Sequence, residues 1–319
     1  MAASERIPVL AVAGPTASGK TALAVRLAKQ FGGEVISCDS MQIYTDLSIS
    51  TAKPTAEEMQ GVPHHLLDFQ SPDDPFSVAD YCARASGCIR DVAQRGRLPI
   101  LCGGTGLYLR SLLENLDFSG DSGADPETRT ALQELAARAG NTAVWDKLHA
   151  VDPEGAAGLH PNNLGRVIRA LEVYAATGRT IAQQREASRM NPSPYRSCVL
   201  FLDFGDRQIL YDRIERRVDR MLEEGLEAEA RAFYQKFGTE QSTAKQAIGV
   251  KEFLPYFRGE CTIEDAVSRI KQETRRYAKR QLTWFRHMPG THVLYVDSVP
   301  DIFTQAVQIV RDFLEKSDC

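Results

Sequence analysis

Residues 7–21 read IPVLAVAGPTASGKT, and GGEVISC follows at 32–38. The first seven form an apolar run with the length of a buried strand. Gly14 to Thr21 then fit G-x-x-x-x-G-K-[ST], and the Ala-, Leu- and Lys-rich stretch to about Gln30 continues as a helix. Gly32-Gly33 breaks that helix, and Glu34 to Cys38 is a second short strand. Strand, loop, helix, strand opens a parallel α/β sheet whose ligands sit at the C-terminal ends of the strands. In such a loop backbone N–H groups and the helix N-terminus cradle phosphate oxygens. The candidate phosphate-binding residues are Gly14, Pro15, Thr16, Ala17, Ser18, Gly19, Lys20 and Thr21. Lys20 meets charged oxygens and Thr21 is the candidate ligand for Mg²⁺. Nucleotides such as ATP are the default occupants, but any diphosphate presents similar oxygens.

Working outward, Leu98 to Cys102 is another short strand running into GGTGLY and a helix, and Cys198 to Phe204 is a later one. Between them, residues 121–196 read as helices only: one opened by Asp125-Pro126, one over Thr142 to Val151, one over Asn163 to Thr177. The fold class is therefore α/β, a P-loop NTPase-like parallel-sheet core with an inserted all-helical domain. Residues 1–120 and 197–319 form the core, mostly helical after Ile209, and 121–196 the insertion.

The 319 residues carry a formal charge of −4, with 43% hydrophobic and 25% charged residues, ordinary values for a chain with a proper core. Seven cysteines without a CxxC pair point to reduced thiols in the cytoplasm. Met1 to Pro8 is too short and polar for a secretion signal, and no apolar run reaches membrane-spanning length.

Strand two delivers Asp39 to the rim that holds the phosphate loop, as a general base or as a helix N-cap. Gly103 to Gly106 return to that rim with Thr105, as a close approach to a ligand or as a turn leading into a helix. Asp203 ends an apolar strand, where it serves a metal or caps the next helix, and no NKxD occurs, so nucleotide hydrolysis is not favoured. Arg213, Arg216, Arg217 and Arg220 share a helix with Asp212, Glu215 and Asp219, mostly a salt-bridged face from which one arginine could turn inward. Residues 269–286 hold seven Lys or Arg against the single acid Glu273, a local +6, so the rest carries −10 against the chain's −4. Such asymmetry is what local recognition of nucleic-acid phosphates looks like. Tyr277, Trp284 and Phe285 interleave with that charge, as core or as base-stacking platforms.

Taken in series, GPTASGKT (14–21), DSMQIY (39–44), STAKP (50–54), HHLLD (64–68), GGTGLY (103–108), HPNNLGRVIRALEV (160–173), AIGVKE (247–252) and RRYAKRQLTWFR (275–286) resemble the tRNA dimethylallyltransferase, or isopentenyltransferase, family over nearly the whole chain. Val250 stands where that family commonly has an aromatic residue, and the zinc-finger extension of its eukaryotic members is missing, which points to the bacterial type. The resemblance implies transfer of a dimethylallyl group from dimethylallyl diphosphate to N6 of adenosine 37, in tRNAs reading codons that begin with U. It implies Asp39 as general base, Thr105 beside the target adenosine, and Arg217 at the diphosphate. It further implies tRNA contacts from Asp39, Ser40, Met41, Gln42 and Thr105, from Arg129, from Gly165, Arg166, Val167, Ile168 and Arg169, and from Gln246, Ala247, Ile248, Gly249, Val250 and Lys251. The expected partners are tRNA and dimethylallyl diphosphate, with Mg²⁺ as cofactor, in a cytoplasmic monomer. A P-loop kinase for a small metabolite leaves the basic 269–286 stretch and the insertion without a task. A nucleotide-switched RNA-binding protein lacks its guanine-reading motif.

Overall fold

Val9, Leu10, Ala11, Val12 and Ala13 are wholly buried because the strand they form, β1 (Ile7–Ala13), is covered on both faces. Its period of two decides which way each side chain goes. The computed structural model, which describes residues 6–116, 126–189, 192–240, 242–298 and 301–316, divides into two compact units. Unit one is Met1–Leu113 with Pro194–Cys319, and unit two is Glu114–Ser193. The expected boundary at 120–121 lies outside the described residues; the one at 196–197 falls just inside a strand.

Unit one continues through α1 (Lys20–Phe31), β2 (Gly33–Ser37), α2 (Ala56–Met59), β3 (His64–His65), α3 (Val78–Gln94), β4 (Leu98–Gly103) and α4 (Gly106–Leu113). Unit two supplies α5 (Pro126–Ala139), α6 (Asn141–Val151), α7 (Pro153–Ala157), α8 (Leu164–Thr177) and α9 (Ile181–Arg189). Unit one resumes with β5 (Tyr195–Asp203), α10 (Arg207–Glu223), α11 (Leu226–Phe237), α12 (Leu254–Phe257), α13 (Ile263–Arg286), β6 (Thr291–Tyr295) and α14 (Ile302–Glu315). Six parallel strands lie in the order β3-β2-β4-β1-β5-β6. Every loop that follows a strand therefore returns to one rim, and the P-loop leaves the central strand.

Odd residues of β1 (Val9, Ala11, Ala13) pack with Ile89 of α3, Leu109 of α4, Ile214 of α10 and Leu282 and Phe285 of α13. Even residues (Leu10, Val12) pack with Leu23 and Leu27 of α1 and Val310 of α14. A strand buried on both faces must be apolar throughout, which is why residues 7–13 show no alternation. Helix α10 starts at Asp206, whose carboxylate accepts from Gln208 N at 2.8 Å, and α13 starts with a Thr262/Asp265 capping box.

Two strands escaped the sequence reading. β3 is only two residues long, and β6 is an edge strand with exposed Val293 and Tyr295 in a region read as mostly helical. Of the expected helices, those at 142–151 and 163–177 correspond to α6 and α8. Asp125, expected to open α5, lies outside the described residues, as does Cys319. The other six cysteines are free thiols.

Unit two has its own core of Val144, Leu148, Ala156, Val167, Ile168 and Ala170. Trp145 Nε1 donates to the carbonyls of Ala156 and Leu159 at 3.0 and 2.8 Å, fixing the short α7 beneath α6.

Candidate active site

A cavity of 280 Å³ opens at the C-terminal rim of the sheet. Thr16, Lys20 and Thr21 bring the P-loop to it, Asp39 to Gln42 come from the end of β2, and Arg217 comes from α10. Val218, Met221, Leu226, Ile248 and Ile270 give it an apolar wall. One space thus has a cationic end, an acid and a dry side.

The loop geometry follows from close backbone approach. A Cβ on Gly103 would stand 1.9 Å from the carbonyl oxygen of Cys38, so only glycine lets β4 run this near the end of β2. A Cβ on Gly104 would meet Gln281 Nε2 at 2.0 Å. That amide is itself buried, at 4% exposure, and joins three segments. Gln281 Nε2 donates to Gly104 O at 3.0 Å, while its Oε1 accepts from Thr16 N at 2.9 Å. α13 therefore ties the P-loop to the GGTG loop through one side chain. Sequence reasoning missed Gln281, since a glutamine on an amphipathic helix usually faces water.

Lys20 Nζ donates to Pro15 O at 2.6 Å. Burial pushes its ammonium down to about 8; Cys102 and the Asp39 carboxylate pull the other way, and Arg217 adds to the lowering. Burial likewise lowers the Arg217 guanidinium, whose Nη1 lies 3.5 Å from Thr16 Oγ1. Among the described residues neither cation forms an ion pair with a carboxylate, an arrangement that favours an anion beside them. The inward arginine of α10 is thus Arg217, whereas Glu215 and Asp219 of that helix pair with Arg275 and Lys271.

Asp39 caps a turn and not a helix. Its Oδ1 accepts from Met41 N at 2.8 Å and Gln42 N at 3.3 Å, capping the turn that follows. Its Oδ2 has no hydrogen-bond partner among the described residues, and the residue lines the cavity. Thr105 stands one layer behind: its Oγ1 accepts from Ser40 N at 3.0 Å and its hydroxyl donates to Ser40 Oγ at 3.4 Å. Burial, then the Asp39 carboxylate, raises the Tyr277 pKa. Tyr277 lines the cavity, Phe285 is core at 0% exposure, and Trp284 is 38% exposed, lying against Gly106. Of the aromatics of α13, Phe285 is thus core, as one expectation had it.

Several expected contact residues are placed elsewhere. Val250 is fully buried with Ile43, Tyr44 and Phe233, and Val167 and Ile168 belong to the core of unit two, so none of these side chains can meet a polynucleotide. Hydrophobic burial outweighs a surface role at each. Arg166 is exposed, while Arg129 is held by Glu172 through bonds of 2.6 and 2.9 Å, with Arg169 also 3.6 Å from that carboxylate. Gln42 is occupied at both ends: Nε2 donates to Ala52 O at 3.0 Å and Oε1 accepts from Ser37 Oγ at 3.1 Å. Ser40, Met41, Gln246, Ala247, Ile248, Gly249 and Lys251 do line the cavity. Asp203 is neither metal ligand nor helix cap, because Arg286 grips it through two bonds of 2.8 Å.

Two loops at the cavity hang on buried or half-buried carboxylates. Glu229 accepts from the backbone N–H groups of Ser48, Ile49 and Ser50 at 2.7, 2.7 and 2.9 Å. Glu252 accepts from Gly249 N at 2.8 Å, and burial raises its pKa.

Comparison with known proteins gives a consistent result. The model of the family described as IPP transferase matches residues 42–288. A tRNA dimethylallyltransferase of Thermoanaerobacter sp. (strain X514) is 47% identical over 293 residues, covering 91% of this chain and 92% of that protein. One of Halalkalibacterium halodurans is 46% identical over 306 residues, covering 96% of each. Among solved structures, the tRNA isopentenylpyrophosphate transferase of Bacillus halodurans matches with a TM-score of 0.72 at 44% identity, over 97% of each chain. A eukaryotic dimethylallyltransferase described as acting on tRNA matches with a TM-score of 0.82 at 30% identity, over 97% of this chain and 79% of its own.

Proposed function

The chain belongs to the IPP transferase family, and we propose that its cavity brings dimethylallyl diphosphate to N6 of adenosine 37 in tRNA. It is an enzyme that transfers a dimethylallyl group to tRNA. The observation carrying the finer reading is that Lys20 and Arg217, Asp39, and an apolar wall of Val218, Met221, Leu226, Ile248 and Ile270 face one 280 Å³ space. A nucleotide's ribose and base would find little use for that wall, whereas a branched five-carbon tail would.

In the reaction the bond between allylic C1 and the bridging diphosphate oxygen breaks while the bond from N6 to C1 forms. Negative charge grows on the diphosphate, beside Lys20, Arg217 and the N–H groups opening α1, and charge developing near preorganised donors is where such sites gain most. The proton leaving N6 goes to Asp39 Oδ2, which raises the nucleophilicity of an amine otherwise conjugated into the purine. Thr105 acts by holding Ser40 beside that point. Oxygen donors at the loop suit Mg²⁺: Thr21 and Asp39 line the same cavity, and this ion takes few protein ligands beside water and phosphate oxygens. Thr21 would hold the ion, which when bound neutralises charge on the leaving group. The base leaves its stack to enter, a cost of a few kcal/mol and least in a loop. The proposed working form is a monomer in the cytoplasm; among the described residues no helix is long and apolar enough to cross a membrane.

The test is incubation of the purified protein with dimethylallyl diphosphate and unmodified tRNA carrying adenosine at position 37, followed by nucleoside mass spectrometry. A gain of one dimethylallyl group on that adenosine is expected. An adenosine left unmodified, or transfer of a phosphoryl group from ATP in place of the dimethylallyl group, would sink the reading.

A further inference from the structure

Helix α10 lays two arginines, one turn apart, along the whole phosphate loop. Arg217 Nη1 lies 3.5 Å from Thr16 Oγ1, near the start of the loop. Arg213 Nη2 lies 3.6 Å from where a Cβ on Gly19 would stand, at the loop's end. Leu210, Ile214 and Val218 anchor the same helix in the core, so neither arginine is carried on a mobile element. The Arg213 guanidinium sits 5.6 Å from the centroid of the Phe204 ring.

Two properties separate Arg213 from an ordinary surface arginine. Among the described residues no carboxylate pairs with it, although Arg275 and Lys271 of the facing helix α13 take acids from α10. It is also half-buried, and burial, with Arg216 second, depresses its pKa. Keeping a cation partly out of water without a counter-ion is unfavourable unless an anion joins it. The place where that anion would sit is open: Gly19 caps α1 with φ 92°, no side chain caps the helix, and no acid occupies its first turn. The first N–H groups of α1 therefore have no acceptor among the described residues. A planar guanidinium is the group best suited to meet a phosphate there in two-pronged fashion.

We infer that Arg213 is a second arginine of the diphosphate clamp and binds the terminal phosphate of the donor, the one remote from the breaking C–O bond. This rests on the reading of the loop as a diphosphate cradle. The assignment to the terminal phosphate follows from position. Arg217 lines the cavity together with Asp39 and the apolar wall, where the reacting carbon must be. Arg213 does not line that cavity and stands at the Gly19 end of the loop, away from Asp39.

The experiment measures binding of inorganic diphosphate and of dimethylallyl monophosphate, by calorimetry in the presence of Mg²⁺, to the full chain and to R213M, R213K and K20A. R213M keeps an unbranched side chain and removes the charge. It is expected to weaken diphosphate binding about tenfold, as loss of a charge-assisted pair does, and to raise the KM for donor in the same proportion. Its affinity for the monophosphate and its KM for tRNA should stay at the wild-type values, and R213K should recover part of the loss. Should R213M fail to fold, R213K against wild type decides, with a several-fold weakening of diphosphate alone as the expected result. Wild-type diphosphate affinity in a folded R213M, or an equal loss for monophosphate, would overturn the assignment. If K20A weakens diphosphate while R213M does not, only this inference falls; if neither does, the diphosphate cradle itself falls.

Discussion

Asp39 has two acceptor oxygens, one a turn cap and the other proposed as the base, and exchanging one atom separates the two roles. Oδ1 caps the turn at Met41 and Gln42, a role that asparagine fills equally well. An amide cannot take a proton from N6. Asp39→Asn is therefore expected to melt within about a degree or two of wild type, and to lose on the order of 10²–10⁴-fold in kcat, as removal of a general base does. Thermal denaturation beside single-turnover kinetics checks both halves; full activity in the amide variant would leave Asp39 as a cap only. Lys20 gives a pH signature at the same scale. Its ammonium titrates at about 8 rather than near 10.5, so in the free protein the cation is present below that pH and lost above it. kcat/KM for the donor should accordingly be insensitive to this group at pH 7 and fall as pH rises through about 8. Lys20→Arg, charged throughout, should remove that inflection whatever its absolute rate.

At the scale of elements, α13 matters less for its charge than for one amide. Gln281 fixes the P-loop at Thr16 and the GGTG loop at Gly104, which makes the two rims of the cavity a single piece. Gln281→Leu leaves the Thr16 N–H and Gly104 carbonyl without their partner. A loss of about 1–3 kcal/mol in stability is expected from two such groups, with a raised KM for donor and an unchanged KM for tRNA. Chemical denaturation and the two KM values measure this; an unchanged donor KM would reduce Gln281 to a packing residue. This element also marks how far the sequence could be read. The strand–loop–helix beginning at Ile7 was legible because its apolar run and its Gly and Lys spacing are local properties. The stretch holding α13 was legible only as part of a mostly helical region after Ile209. Which of its polar residues would be buried was not, because that depends on β2 and β4 meeting at Gly103 and Cys38, remote in sequence. β3 and β6 escaped for the related reason that a short edge strand has few residues to declare a period.

For the molecule as a whole, the charge asymmetry is smaller in space than along the chain. Of the seven bases in 269–286, Lys271 pairs with Asp219, Arg275 with Glu215, Arg276 with Glu273 and Arg286 with Asp203. No ion pair among the described residues takes Arg269, Lys279 or Arg280. Only those three remain to displace counter-ions from a polynucleotide, so the stretch should contribute a slope of about −2 to −3 to log affinity against log salt, not the steeper value its count suggests. Lys279→Ala is expected to reduce the slope by about 1 and Lys271→Ala to leave it unchanged. Filter binding of an anticodon stem-loop over a range of salt concentrations supplies the measurement. Equal effects of the two substitutions would show that the internal pairs open when RNA binds.

The bond pair between Asp203 and Arg286 also bears on what the fold could become. A carboxylate at the end of the strand beside β1 stands where a phosphate-splitting relative would need one to organise metal and water. Here it is already committed to a guanidinium. Freeing it by removing Arg286 would strand a buried negative charge, and removing Asp203 would discard the very group required. A change in that direction would have to keep Asp203 and supply another cation as Arg286 is lost.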